Sequence, residues 1–299
     1  METKIDLKEE IRRLSIETKF SPPLLEKDYH LTKILHKISE KRIKDLIFKG
    51  GTCLNKCYLG FYRLSEDLDF VYNQNVANQS KGQIKKILDE LRRRLFEILN
   101  ELGLKTSREI GRGWKMLTSK EEPRIVGLEI ITNYDSLIDD SLQTIKLEIS
   151  FRRKLINPTQ IKPIHHEFIN SLGEPLLEED VKIEVIDLSE NFTEKFRALV
   201  TRKNIAIRDI YDIDHIIKNK ILKIDKETMD LILIKINESK KEKFTKDNLI
   251  QFIRDLNSKV SDLNKKELSS VLKSGENVNV SEMVQRIILA FKDHGGSLG

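Results

Sequence analysis

Phe48-Lys49-Gly50-Gly51-Thr52-Cys53-Leu54-Asn55-Lys56, then Arg63-Leu64-Ser65-Glu66-Asp67-Leu68-Asp69-Phe70, is the stretch on which the reading of this chain turns. An apolar run, Leu46-Ile47-Phe48, leads into paired glycines and a hydroxyl, and a short helical segment follows. Two carboxylates then stand two residues apart in an apolar frame. On a strand, residues i and i+2 share a face, so Asp67 and Asp69 are expected side by side, with Leu68 and Phe70 on the buried face. Like charges so close repel unless a cation lies between them, and paired hard oxygens suit Mg²⁺. Glycines at a helix start let backbone N–H groups approach an anion closely. A phosphate cradle followed by metal carboxylates describes a nucleotide site.

Taken singly, a Gly-Gly pair is most often a turn and Asp-x-Asp a solvated strand edge; the order strand, GG-Thr, helix, Asp-x-Asp strand is what makes the signal specific. Gly50-Gly51-Thr52, Lys56, Tyr58 and Arg63-x-Ser65-Glu66-Asp67-x-Asp69-Phe70 resemble the core motif of the AbiEii/MenT toxins. These are nucleotidyltransferases of the DNA polymerase β-like superfamily, found in prokaryotic type IV toxin–antitoxin and abortive-infection systems. Fourteen residues (53 to 66) separate Thr52 from Asp67, slightly more than the common superfamily gap.

The chain has 299 residues, 39% apolar and 34% charged, which excludes a disordered protein and allows one large or two ordinary domains. No apolar run approaches the roughly 20 residues needed to span a bilayer. The start, Met1 to Asp6, lacks the apolar core of a signal peptide, and a cytoplasmic location is expected. Cys53 and Cys57, four apart, make neither a zinc set nor an expected disulfide, and read as small core residues. The formal charge of +5 is too mild to establish a nucleic-acid partner.

Outward from the motif, residues 6 to 18 and 23 to 43 read as helices, with Ser21 before Pro22-Pro23 as the expected N-cap of the second. Within it Glu26-Lys27-Asp28-Tyr29 is similar to the N-terminal helix signature of the same toxins, although an ordinary amphipathic helix explains it equally. Lys81 to Leu102 is a long helix whose basic face (Lys81, Lys85, Lys86, Arg92, Arg93, Arg94) reads as solvated by default, or as a phosphate-backbone patch. Strands are expected at Trp114 to Leu117, Ile125 to Thr132, Thr144 to Phe151 and Val181 to Ile186, with 155 to 180 as a connection. His165-His166 falls in that connection and is only a weak metal signal. From 221 to 292 the apolar spacing is helical throughout, and 295 to 299 reads as a frayed tail.

The resemblance implies an α+β fold: a polymerase β-like nucleotidyltransferase core with a mixed sheet over 1–185, including N-terminal helices 6–43, then an all-helical C-terminal domain over 186–299. It raises Glu148 from a solvent-facing strand residue to the third metal carboxylate beside Asp67 and Asp69. These three would hold Mg²⁺, or Mn²⁺, with an NTP as substrate. Gly50, Gly51 and Thr52 would hold the terminal phosphates, and Lys56 and Ser65 match positions near the site. Glu-Lys-x-Arg-Ala-Leu from Glu194 and Arg-Asp-x-Tyr-Asp from Arg208 resemble the second and third motifs. They imply that Lys195 contacts phosphate and that Asp209, paired with Arg208, completes the site. The family also implies an RNA acceptor, the 3′ end of tRNA, and an antitoxin encoded nearby. The basic segments 81 to 94, Arg152-Arg153-Lys154 and Arg202-Lys203 are compatible with RNA. Transfer to a small molecule or a protein hydroxyl, or a catalytically inactive binding member, are the alternatives; an intact set of Asp67, Asp69, Glu148, Lys195 and Asp209 argues against the last.

Overall fold

The computed structural model describes residues 6–73, 79–118, 125–151, 155–238, 240, 242–260 and 265–292. The expected basic run Arg152-Arg153-Lys154 and the tail 295–299 lie outside them. The chain forms two compact units, Met1–Ile186 with Val271–Ser274, and Asp187–Ser270 with Gly275–Gly299.

In the first unit, α1 (Leu7–Thr18) and α2 (Pro22–Glu40) precede β1 (Leu46–Lys49). Then come α3 (Gly50–Cys53), a π-helical turn (Leu54–Leu59), β2 (Asp67–Tyr72), α4 (Lys81–Glu101), β3 (Trp114–Thr118), β4 (Ile125–Asp135), β5 (Leu142–Ser150), β6 (Gln160–Pro163) and β7 (Lys182–Val185). Among the described residues the strands make one mixed sheet in the order β3-β4-β5-β2-β1-β7-β6. The alternation of β5 is as the sequence implies: Ile145, Leu147 and Ile149 are fully buried. They share a core with Phe48, Leu68 and Phe70, on which α2 (Leu31, Ile34, Leu35) and α4 (Leu88, Leu91, Leu95) pack. Burying one face of β2 and β5 fixes their register, since a one-residue slip would turn every apolar side chain to the wrong side.

Two local expectations are corrected. The connection at 155–180 contains β6, which pairs only with β7 at the sheet edge; an edge strand tolerates Pro163, so the proline hid it. Ser21 is the N-cap residue of α2, but its side chain makes no capping bond; Pro23 at the second helical position lacks one of the two N–H groups such a bond could serve. The capping box of α4 is complete: Ser80 Oγ accepts from Gln83 N at 3.3 Å and Gln83 Oε1 accepts from Ser80 N at 2.9 Å.

The start of α2 is charged yet buried, which an amphipathic reading does not anticipate. Glu26, 0% exposed, accepts from Ser136 Oγ and Leu137 N, both at 2.6 Å, and so ties α2 to the β4–β5 turn. Asp28 meets Lys56 Nζ at 2.9 Å, and Thr32 Oγ1 takes a second bond from the same ammonium at 2.8 Å. This pair anchors the turn after the glycines to α2. Cys53 and Cys57 are buried and free, as expected.

The second unit is helical among its described residues: α5 (Leu188–Thr201), α6 (Ile207–Lys218), α7 (Lys226–Asn237), α8 (Lys246–Arg254), α9 (Leu256–Lys259), α10 (Lys265–Ser269) and α11 (Val280–Lys292). Phe192, Phe196 and Phe291 form its aromatic centre. Lys235, buried on α7, is held by Glu190 and, at 3.4 Å, by Glu194 of α5.

Asp28→Ala strands the buried Lys56 ammonium and should destabilise the first unit by about 3–5 kcal/mol, whereas Asp28→Leu with Lys56→Met should recover most of that loss. Thermal melts of the two variants beside wild type check this; an Asp28→Ala melt superimposable on wild type would contradict it.

Candidate active site

The sheet register assembles the acidic face. β2 runs antiparallel to β1 and parallel to β5, placing Asp69 opposite both Lys49 and Glu148, and Asp67 opposite Lys146. β4 continues the row with Glu129 opposite Glu148, and β3 ends it with Lys115 opposite Glu129. Directly paired residues lie on one face. Lys115, Glu129, Glu148, Asp69 and Lys49 therefore form a line across the sheet, with Lys146 and Asp67 two residues along. The side away from α2 and α4 carries it.

Lysines compensate this acidic face at one end of the line and beside it. Lys115 Nζ lies 2.7 Å from Glu129 Oε1. Lys146 Nζ lies 3.7 Å from Asp67 Oδ2. Burial opposes the Lys146 charge, but Asp67, Asp69, Glu148 and Glu129 together outweigh it and hold its pKa above the ordinary lysine value.

The glycine turn is packed against this face. Gly50 has φ +81°, and a Cβ there would stand 2.4 Å from Asp69 Oδ2, so only glycine fits on both counts. A Cβ on Gly51 would meet Arg63 Nη2 at 2.7 Å and Ser65 Oγ at 3.2 Å, which places the Arg63-Leu64-Ser65 loop over the second glycine. Thr52 is 1% exposed and its Oγ1 donates to Asp67 O at 2.5 Å, stitching the turn to the acidic strand. Lys27 reaches Glu66 at 3.3 Å and holds the same loop from α2.

Among the described residues no three carboxylate, imidazole or thiol groups stand close enough together to hold a metal ion. Asp67, Asp69 and Glu148 share one face by register, but their tips are not drawn to a point, and Lys146 stands beside Asp67. Hard carboxylate oxygens on neighbouring strands nevertheless suit Mg²⁺ or Mn²⁺, and these side chains can reorient between rotamers without moving the strands. The donor set fits a divalent cation in its chemistry and in the strand register that puts the three carboxylates on one face.

Other expected residues are placed differently. Lys56 is 0% exposed and committed to Asp28 and Thr32, an internal ion pair rather than an ammonium open to phosphate. Lys195 meets Asp209 Oδ1 at 2.8 Å and Asp212 Oδ2 at 2.9 Å. The second oxygen of Asp209 is taken by Arg202 at 2.5 Å, while Arg208 pairs with Glu267 at 3.1 Å. Neighbours i and i+1 on a helix point in different directions, which is why Arg208 is not the expected partner. His166 is tucked against His36 and Phe168, with ring centroids 5.9 and 6.0 Å away.

On α4, Arg92 pairs with Asp89, and Arg93 with Glu90 and Glu97, so these two of the six basic residues are held in ion pairs on the helix itself. A cavity of about 380 Å³ lies there, lined by Arg92, Arg93, Phe96 and Arg108. It belongs to the α4 side and includes none of the acidic row.

Sequence reasoning missed Glu129 and Lys115. Glu129 was legible only as a lone carboxylate inside the apolar run Ile125 to Thr132, and its 9% exposure marks it as built in. The alternation of Thr144 to Phe151 puts Lys146 on the face of Glu148, but its place opposite Asp67 comes from the register alone.

Two solved structures are similar to the chain over most of its length. One is JHP933 from Helicobacter pylori, with 18% identity over 91% of this chain and 92% of that one, at a TM-score of 0.49. The other, also from H. pylori, is of a candidate nucleotidyltransferase, with 18% identity over 91% and 95%, at a TM-score of 0.50. At such identity the second likeness bears on fold alone. No curated protein matches the chain. The family described as "Nucleotidyl transferase AbiEii toxin, Type IV TA system" matches residues 39–278, a span that takes in the glycine turn, the acidic strands and the Lys195–Asp209 helices. The chain belongs to this AbiEii family, and it is a nucleotidyltransferase.

Proposed function

We propose that this nucleotidyltransferase moves an NMP group from an NTP to an RNA acceptor, the 3′ end of tRNA, and so blocks translation. The observation that carries the site assignment is the pairing of Asp69 with Glu148 on adjacent strands, with Gly50 against the Asp69 carboxylate. The acceptor rests on membership of a toxin family, which also implies a cognate antitoxin. Of the described basic residues, Arg92, Arg93 and Arg202 are paired with carboxylates and add little to it.

Asp67, Asp69 and Glu148 are the residues that would hold a divalent cation, which when bound neutralises triphosphate charge and makes the acceptor hydroxyl more acidic. The backbone N–H groups at Gly50 and Gly51 receive phosphate oxygens, a task needing close approach and no side chain. Thr52 keeps that turn on β2 through its bond to Asp67 O. Arg63 and Ser65 lie over Gly51 and brace the turn there. Within the second unit Asp209 and Asp212 orient the Lys195 ammonium, and the role proposed for Lys195, by family membership, is to attract phosphate.

Incubation with labelled NTPs and either total tRNA or total protein tests the reading. Label should enter tRNA, and Asp69→Asn should lower it by about 10²-fold or more. Label in protein alone would refute the RNA acceptor. Gly50→Ala, which forces a methyl group onto Asp69, should be comparably inactive while remaining folded by circular dichroism; full activity would detach the turn from the site. Lys195→Ala should both raise the NTP concentration needed for turnover and lower the melting temperature, since it strips buried Asp212 of its lysine. An unchanged NTP dependence would remove Lys195 from the site.

A further inference from the structure

We propose that Lys146 is a resident counter-ion of the Asp67–Glu148 part of the acidic face, standing where it competes electrostatically with a divalent cation, and that it thereby sets how tightly that cation binds. The inference rests on the reading of Asp67, Asp69 and Glu148 as cation ligands.

Three carboxylates, Asp69, Glu148 and Glu129, are directly opposite one another on three adjacent strands. Like charges in that relation destabilise a sheet at each pairing. Lys115, 2.7 Å from Glu129, relieves one end of the row. At the other end Lys49 stands opposite Asp69, and beside the row Lys146 lies across from Asp67 in register, 3.7 Å from its oxygen, and two residues from Glu148 on the same face of β5. Its other cross-strand neighbour is Ile131, an apolar residue that offers it no competing anion. The side chains of Lys146 and Asp67 are 36% and 39% exposed, open enough for an ion to enter from solvent. The face thus carries a lysine where the three expected ligands are not gathered around a point. A lysine there keeps the repelling row folded when no metal is present, and it must swing aside for the oxygens to converge. Free metal is then bound weakly, and the ion is favoured when it arrives with a triphosphate that supplies further ligands.

The test is Mn²⁺ binding to the full chain, by calorimetry and by the paramagnetic resonance of free Mn²⁺, for wild type, Lys146→Met, Lys146→Arg and Asp69→Asn. Lys146→Met should bind Mn²⁺ about three- to tenfold more tightly than wild type, a range set by a partly screened charge at this separation. It should also melt lower than wild type in metal-free buffer, with the gap closing as Mn²⁺ is added. Lys146→Arg, which keeps the charge, should stay near wild type on both readouts. Unchanged or weaker Mn²⁺ binding by a folded Lys146→Met would overturn the inference, and Lys146→Gln repeats the measurement if the methionine variant does not fold. Loss of binding in Asp69→Asn alongside that result would leave the metal reading standing, whereas wild-type Mn²⁺ binding in Asp69→Asn would bring down both.

Discussion

The parallel pairing of β2 with β5 is the constraint from which the rest of the first unit follows. It is fixed by apolar burial on one face, where Leu68, Phe70, Leu147 and Ile149 are all fully enclosed. With the side-chain period of a strand equal to two, that burial leaves Asp67, Asp69, Lys146 and Glu148 no choice but the other face. The hydrophobic effect, which has no interest in chemistry, thus forces carboxylates into a proximity that electrostatics alone would resist. The sheet tolerates this because lysines from neighbouring strands stand in the same field.

Positioning of the glycine turn depends on a second kind of interaction, buried polar groups whose partners are satisfied. Thr52 bonds to the backbone of β2, and Lys56 bonds to Asp28 and Thr32 on α2. Glu26 reaches in the opposite direction, to the turn between β4 and β5. Replacing such groups by apolar ones need not weaken a fold, but removing one partner leaves the other uncompensated. Asp28 Oδ1 is itself buried with no hydrogen-bond partner among the described residues, so this anchor is retained at some cost in stability. What it provides is a fixed exit direction for the chain after Gly50.

Within the helical unit, charge is handled in the same manner. Asp209 and Asp212 both face Lys195, and Arg202 takes the remaining oxygen of Asp209. An ammonium with two carboxylates is held in place and remains attractive to further anions only through its unused donor capacity. Lys235 with Glu190 and Glu194 is the fully buried counterpart, and it braces α5, the helix that carries Lys195.

The local sequence determined a good deal about this protein. Helical and alternating periodicities located α1, α2, α4 and β3 to β5, and spacing put Asp67 beside Asp69. The order of the glycines, the hydroxyl and the carboxylates pointed to the family. These are properties of contiguous residues, where backbone geometry alone says which side chains share a face. Only tertiary structure decided that Glu148 stands opposite Asp69, that Glu129 joins them, that Lys146 faces Asp67, and that Lys56 and Arg202 serve carboxylates no local rule would have chosen. Pairing across strands and between helices depends on which apolar faces are buried together, a balance over the whole unit, and no stretch of the chain carries that information by itself.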